Sequence, residues 1–267
     1  MNFSRIAGIS LRQFYLIRDT PTRFISIFTW IILDLIIWGF ISKYLTTIVE
    51  PTLNVTSVFI GAIVLWGFLV RSMLGVLMAF LEDSWSRNFL NVFASPIRIS
   101  EYLAGLVLTS TVTTLLGLGG MLVVARLFFG ASVLSLGLVI VPYLFILFLF
   151  GVALGIFGIA IVLRFGPASE WFVWPIPAIL NPFVGVFYPI AVLPQWMQYI
   201  SSILPPSYVF DGMRMIISQG SAPPQLFIYG LLLVILHVLL ASAFFAWVYN
   251  GAIRSGLLAR YSAENVI

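Results

Sequence analysis

Three ionisable side chains lie inside long apolar stretches of this sequence, where a charged group is costly. Asp34 and Arg71 lie in the first and second stretches, and His237 lies in the last. Charged groups in such surroundings pair with one another or line a polar path. Asp34 and Arg71 are each 11 residues from Arg23 or Glu82, about 16 Å along a helix. The spacing predicts an Asp34–Arg71 ion pair, which would either link two helices or line a path.

The residues needed for several kinds of catalysis are missing from the sequence. The only lysine, Lys43, follows Ser42 and belongs to no G-x-x-x-x-G-K-[ST] pattern, so the chain has no ATP-binding phosphate loop of its own. With no cysteine and one histidine, no metal site of the usual composition can form. Glu82 and Asp83 are adjacent, so on a helix their side chains diverge by about 100° and do not suit paired acid–base work. We therefore expect no enzymatic activity, cofactor or metal site in the chain itself.

The composition is typical of a helical membrane protein. Of the 267 residues, 61% are hydrophobic and 8% are charged, whereas soluble domains have about 25% charged residues. Lipid offers the backbone no hydrogen-bond partner, and the apolar stretches lack the alternation of barrel strands, so each is predicted to be a helix. The sequence predicts an all-α integral membrane fold with six transmembrane helices. The six spans are Phe24–Ile41, Ser57–Leu81, Tyr102–Phe129, Val133–Leu163, Trp171–Leu193 and Leu226–Tyr249.

The basic residues predict how these spans are oriented, because cytoplasmic loops are enriched in arginine and lysine. Nine of them fall on one side: Arg5, Arg12, Arg18, Arg23, Arg87, Arg98, Arg164, Arg254 and Arg260. The opposite side has Lys43, Arg126 and Arg214. Both termini are therefore expected in the cytoplasm. The first span follows four arginines and lacks a small-residue cleavage site, so it is expected to be retained as an anchor.

Residues 1–23 and 82–101 are expected to lie along the cytoplasmic face. Within the first segment, apolar side chains share one helical face opposite Arg5 and Arg12, which predicts an amphipathic helix in the membrane interface. The residues of this face are Phe3, Ile6, Ala7, Leu11, Phe14 and Ile17. In the second, apolar residues recur at every fourth position and predict a short amphipathic helix that runs to Ala94. Aromatic residues rimmed by charge suit a docking surface for a soluble partner. A loop that lies on the lipid headgroups is the alternative.

Prolines interrupt the fifth candidate span and the segment that follows it. Pro175, Pro177 and Pro182 each remove a backbone donor, which predicts a kinked or broken helix. Residues 189–218 are apolar but are divided by prolines into pieces too short to span. They are predicted to form short re-entrant helices on the outer face, one after Pro194 and one over residues 208–218.

Three stretches, taken in order along the chain, are specific enough to suggest a family. The first stretch consists of residues 18–24 followed, further along the chain, by residues 34–40. The second is the loop whose charges are first acidic and then basic and which ends with Ser95-Pro96-Ile97-Arg98. The third extends from Tyr188-Pro189 through Leu193-Pro194-Gln195-Trp196 to Arg214 and has the form YP…LP.W…P…R. Together they cover nearly the whole chain, which resembles the permease (transmembrane) subunit of ABC-2 type ABC exporters.

The resemblance implies a single ABC-2 type transmembrane domain over residues 1–267 that works as a homodimer with two separate ATPase subunits. ATP and Mg²⁺ would bind in those partners. Residues 1–23 would form a collar at the membrane interface, and residues 82–101 would form the coupling helix that enters a groove of the ATPase. The coupling residues would be Glu82, Asp83, Trp85, Arg87, Phe89 and Arg98. The outer segment would gate the exit through Tyr188, Pro189, Pro194, Trp196, Pro205, Tyr208 and Arg214.

The expected function is ATP-driven export of a hydrophobic or amphipathic substrate, either drug-like, lipid or glycolipid, across a prokaryotic plasma membrane. The alternative is a secondary transporter or channel that works without ATP. For that alternative, the only candidates for coupling-ion residues are Asp34, Arg71 and His237. Membrane lipid would surround the chain. The net charge of +4 reflects arginines that set orientation, so no nucleic-acid partner is expected.

Overall fold

The computed structural model describes residues 2–48, 55–86, 88, 95–130 and 138–255, and the secondary structure within these ranges is helical, without strands. Two 3₁₀ turns, Pro167–Ser169 and Ile190–Val192, connect short helices. The α-helices of the described residues are α1 (Phe3–Arg18), α2 (Pro21–Ile48), α3 (Val55–Trp85), α4 (Ile99–Phe129), α5 (Ile140–Phe165), α6 (Glu170–Val173), α7 (Ile176–Val184), α8 (Gln195–Ile203), α9 (Pro205–Gln219) and α10 (Pro224–Arg254). The all-α prediction is confirmed.

Five helices of the described chain are long and apolar enough to cross a membrane. They contain the spans Pro21–Thr46, Val58–Trp85, Ile99–Phe129, Ile140–Phe165 and Pro224–Arg254. Each has at least 26 residues, and about 20 are enough to cross the hydrocarbon layer of a bilayer. The prediction of an integral membrane protein built from helices is confirmed.

The fifth predicted span, residues 171–193, is not one continuous helix. It is divided into α6, α7 and the 3₁₀ turn Ile190–Val192. Pro175 and Pro177 have no N–H to donate, and α6 ends just before them while Pro182 lies inside α7. The 15 residues from Glu170 to Val184 extend about 22 Å as a helix, less than the hydrocarbon thickness of about 30 Å. Six uninterrupted spans are therefore not found among the described residues, and a sixth crossing remains a prediction.

The segment after α7 folds into the short helices that its prolines predict. Pro194 caps the N-terminus of α8, and Pro205 begins α9, three residues before the predicted start at Tyr208. Proline is tolerated in a first helical turn because the N–H there has no partner within the helix. The buried face of α9 includes Phe210 and Met213 and packs against α5 and α10. Whether α8 and α9 re-enter the membrane remains a prediction.

The N-terminal helix α1 packs along the ends of α2 and α4. Its protein-facing residues are Ile6, Ile9 and Gln13, whereas Leu11 and Phe14 are exposed. The sequence prediction of a single apolar face omits Ile9 and Gln13, because hydropathy does not distinguish a face toward protein from a face toward lipid. Gln13 is buried because its side-chain amide donates a hydrogen bond to the carbonyl oxygen of Ala79 at 3.1 Å.

At the centre of the bundle, α3 packs closely against α4 and α5 through small residues. The Ser110 hydroxyl donates a hydrogen bond to the Ser72 carbonyl at 2.8 Å, and Gly75 lies directly against Ser110. On the other side, Gly151 and Gly155 of α5 face the α3 backbone. The Gly-x-x-x-Gly spacing thus serves close helix packing, where dispersion contacts replace the hydrophobic effect that is absent in lipid.

Adding a side chain at Gly151 should therefore separate α3 from α5. A Cβ at this position would overlap the Ser72 hydroxyl and approach the Leu69 carbonyl oxygen to 2.7 Å. We expect Gly151→Val to destabilise the protein by about 1–3 kcal/mol and to lower its melting temperature in detergent. Gly119→Val is the matched control, since a Cβ at Gly119 has no atom within 4 Å. Equal melting temperatures for the two variants would contradict this packing.

Candidate functional site

A cavity of about 410 Å³ opens between α2, α3 and the α7 region. Its volume falls within the range of about 300–1,000 Å³ for small-molecule sites. Most of its wall is aromatic and aliphatic, and a few polar side chains face the same space. The aromatic residues that line it are Trp30, Trp38, Trp66 and Phe187, and the polar ones are Asp34, Arg71 and Asn181. Trp38 stacks on Phe187 with ring centroids 4.6 Å apart, which fixes one side of the wall.

Arg71 is the deepest charged group of this cavity. It lies in the middle of α3, and its Nε atom is buried without a hydrogen-bond partner among the described residues. Asp34 lines the same cavity from α2 but is exposed, and the described chain contains no Asp34–Arg71 ion pair. The predicted pair is therefore not found. Equal depth along two helices does not set the rotation of either helix, and rotation decides whether two side chains meet.

His237, the third predicted intramembrane group, is not among the residues that line this cavity. Its Nδ1 lies 2.8 Å from the Leu233 carbonyl oxygen within α10, and its ring packs edge-on against Phe150 of α5. The imidazole therefore makes local contacts between α5 and α10.

A second cavity of about 190 Å³ adjoins the first toward the end of the bundle where α1 lies. The two share Trp30, Arg71 and two aliphatic residues of their lining, and the second also reaches Arg23 and Glu82. We call these two adjoining cavities together the α2–α3 groove. The groove extends from the middle of the bundle to the α1 end and has Arg71 where its two parts meet.

The acidic residues at the α1 end bind the arginines of α1 and α2. Asp83 is fully buried, and one of its carboxylate oxygens accepts a hydrogen bond from the Arg12 guanidinium at 2.5 Å. Its other oxygen accepts from the Tyr102 hydroxyl at 2.7 Å. Burial lowers the pKa of Arg12, but the hydrogen bond and the charge of Asp83 outweigh burial, so its pKa lies above the usual value. This Asp83 cluster joins α1, α3 and α4.

Two further carboxylates add to the same attachment. Glu82 pairs with Arg23 at 3.3 Å, and Glu101 pairs with Arg5 at 3.3 Å. Glu101 also accepts hydrogen bonds from the backbone N–H groups of Asn2, at 2.8 Å, and of Arg98, at 3.1 Å. Sequence reasoning missed this attachment, although the spacing of arginines on one face of α1 opposite a cluster of acids could have indicated it.

The described residues of the predicted coupling segment have local partners. Glu82 and Asp83 belong to the last turns of α3, and Arg98 is the N-cap of α4. Trp85 is half-exposed, and its indole N–H donates to a Glu170 carboxylate oxygen at 3.1 Å, which connects α3 to α6. Arg87, Phe89 and the rest of the predicted amphipathic helix up to Ala94 lie outside the described residues.

The predicted gate residues cluster at the opposite end, between α7 and α9. Arg214 donates to the Gly185 carbonyl oxygen at 2.6 Å and pairs with Asp211 at 2.5 Å. Gly185 has φ of 68°, a left-handed conformation that ends α7 and suits glycine. The other gate residues contact nearby backbone or begin short helices: Tyr188 donates to the Pro182 carbonyl oxygen, Tyr208 donates to the Ser202 carbonyl oxygen, Trp196 packs edge-on against Phe183, and Pro189, Pro194 and Pro205 precede or begin helical turns.

Comparison with protein families identifies what kind of protein has this arrangement. The model of the family described as ABC-2 type transporter matches residues 7–218. The match covers most of the chain, from α1 to α9, and includes both cavities and the Asp83 cluster. The chain belongs to the ABC-2 type transporter family. Comparison with curated proteins gives no significant match.

Membership in the ABC-2 family establishes the general role of the chain. This ABC-2 protein is a multi-pass membrane protein and the transmembrane subunit of an ABC transporter, and its family implies an ABC ATPase as a separate partner subunit. The resemblance inferred from the sequence is thus confirmed.

Removing the charge of Asp83 should loosen α1. Asp83→Asn leaves the Arg12 guanidinium without its anion, and Arg12 is about one-third exposed, with 36% of its side chain accessible. Water therefore compensates in part, and the cost should be that of a charged hydrogen bond, about 1–3 kcal/mol. We expect hydrogen exchange in residues 3–18 to accelerate about 5- to 150-fold. Asp211→Asn, at the other end of the bundle, should leave this exchange unchanged. Unchanged exchange in Asp83→Asn would refute the role of the Asp83 cluster.

Proposed function

We propose that this ABC-2 subunit forms the translocation path of an ATP-driven exporter for hydrophobic or amphipathic substrates, of drug-like, lipid or glycolipid type. The observation that supports this most is the α2–α3 groove, which combines an aromatic wall with the polar groups Asp34, Arg71 and Asn181. A substrate with one apolar and one polar part matches such a lining.

The working unit in this proposal is a homodimer with two ATPase subunits in a prokaryotic plasma membrane, with both termini in the cytoplasm. The long helix α2 leaves most of its surface uncovered, including Trp30, Ile37 and Phe40. The α2–α3 groove opens beside this surface. A second copy packed there would close the groove from the side and separate the path from lipid.

ATP binding would act on the path through the Asp83 cluster. In this proposal the ATPase binds the segment between α3 and α4 and contacts Trp85, Arg87, Phe89 and Arg98. The last turns of α3 are joined to α1 and α2 by the ion pairs of Asp83 and Glu82. A displacement of this segment would therefore be transmitted from the end of α3 to α1 and to the start of α2, and the α2–α3 groove reaches this end at Arg23 and Glu82. Nucleotide affinity for one state would supply the free energy.

The external end of the path would be controlled by the segment from α7 to α9. Arg214 ties α9 to the end of α7, where α7 carbonyl oxygens form a region of partial negative charge. Substrate would leave when this attachment opens. A secondary transporter or channel is a less suitable function, because the family implies a separate ATPase and His237 is not part of the groove lining.

Association with an ATPase tests the proposed function directly. We expect the tagged chain, purified in mild detergent from its native membranes, to retain a stoichiometric partner that has a phosphate-binding loop and hydrolyses ATP. The double variant Trp85→Ala, Phe89→Ala should lose this partner, because both aromatic side chains would be at the contact. Phe128→Ala, an exposed aromatic residue at the opposite end of α4, is the matched control. Purification without any nucleotide-binding partner in several detergents would contradict the proposal.

The role of Arg214 can be separated from ATPase binding. We expect Arg214→Gln to keep the ATPase partner but to reduce substrate efflux severalfold, because α9 loses its hydrogen bond to the Gly185 carbonyl oxygen. Arg126→Gln is the matched control, since within the described part of the chain the Arg126 guanidinium donates only to the Gly130 carbonyl oxygen at its own helix end. Wild-type efflux in Arg214→Gln would remove this residue from the gate.

A further inference from the structure

We propose that Arg71 binds the anionic group of an amphipathic substrate, so that the transported compounds are anionic amphiphiles. This inference rests on the proposed function and adds the charge of the substrate to it. It starts from a cation in the middle of α3 that has no internal counter-charge among the described residues. The ion pairs of the described chain all lie near the ends of the bundle, away from Arg71.

The surroundings of Arg71 make an external anion its best partner. The Nε atom is buried and has no hydrogen-bond acceptor among the described residues. Guanidinium presents several N–H donors in a fixed plane and matches carboxylate, phosphate and sulfonate groups in two-point hydrogen bonds. The Arg71 side chain is partly buried, and a cation without a partner in apolar surroundings is costly, so an anion that enters the cavity gains more there than at an exposed arginine.

Asp34 does not supply this partner. Its carboxylate lines the same cavity from α2, but it forms no ion pair with Arg71, and its side chain is exposed at the surface of the chain. Asp34 therefore leaves the partly buried Arg71 side chain available to an anion from outside the chain.

The rest of the cavity specifies an apolar body for the substrate. Trp30, Trp38, Trp66 and Phe187 face the same space as Arg71. The adjoining cavity of about 190 Å³ also includes Arg71 in its lining and extends to Arg23 and Glu82 at the α1 end. Arg71 is thus placed where a headgroup moving along the groove from the α1 end would reach the larger aromatic space. A substrate with one anionic group and one hydrophobic chain would match both Arg71 and the aromatic wall.

Tryptophan quenching tests the proposal without the ATPase. The probe is dibromostearate at a pH above the pKa of its carboxyl group, and its methyl ester has the same chain without the charge. The protein is placed in nanodiscs of zwitterionic lipid. Quenching of the groove tryptophans is the quenching seen in the wild-type protein minus that seen in a triple variant, Trp30→Phe, Trp38→Phe, Trp66→Phe. We expect saturable quenching by the acid, at a concentration well below that needed for the ester.

Variants at the two charged positions separate anion binding from a structural role. Arg71→Gln should weaken acid binding about tenfold or more, as expected for loss of a charged hydrogen bond, and should leave the ester unchanged. Arg71→Lys, which keeps the charge, should retain most of the binding. Arg126→Gln should have no effect, and Asp34→Asn should tighten acid binding, because it removes a negative charge from the lining of the same cavity.

Three outcomes would overturn the proposal. The first is equal binding of acid and ester by the wild-type protein, a comparison that needs no variant to fold. The second is an equal loss for acid and ester in Arg71→Gln, and the third is a loss in Asp34→Asn as large as that in Arg71→Gln, which would show the two residues acting as one structural unit. Failure to find an ATPase partner would refute the proposed function and would leave this binding measurement unaffected.

Discussion

The arrangement of the α1 end depends on one buried carboxylate, that of Asp83. A carboxylate without solvent contact is tolerated only when hydrogen bonds and an opposite charge replace water. Arg12 and Tyr102 supply both, and they come from α1 and α4. The last turns of α3 are thereby fixed to two other helices, and α1 is held against the bundle by more than its apolar contacts. The segment between α3 and α4, where an ATPase is proposed to act, begins after Trp85, the last residue of α3 and two residues beyond Asp83.

The opposite constraint acts at mid-bundle, where Arg71 has no counter-charge among the residues that the structure describes. The close contacts of α3 with α4 and α5 involve glycine and serine. Arg71 lies instead in the lining of the α2–α3 groove. Helix α3 thus packs closely against α4 and α5 on two sides and borders the partly polar α2–α3 groove on a third.

Proline has two effects in the second half of the chain. In the fifth predicted span it removes backbone donors and divides the helix, while in the following segment it begins α9 and caps α8. The result is a set of short helices, of which α9 packs on α5 and α10. Arg214 attaches α9 to the left-handed end of α7, and the Ser201 hydroxyl of α8 donates a hydrogen bond to the Phe183 carbonyl oxygen of α7.

Much of this protein is determined by sequence patterns that act locally. Apolar length gives the five long helices, prolines give the broken fifth span, and the order of motifs around Pro96, Pro189 and Pro194 gives the family. Only the tertiary structure determines which charged side chains form ion pairs. Asp34 and Arg71 are matched in depth yet do not pair, whereas Asp83 pairs with Arg12, 71 residues away. The physical reason is that depth along a helix follows from counting residues, but helix rotation and the place of α1 are set by packing among several helices at once, which no single segment encodes.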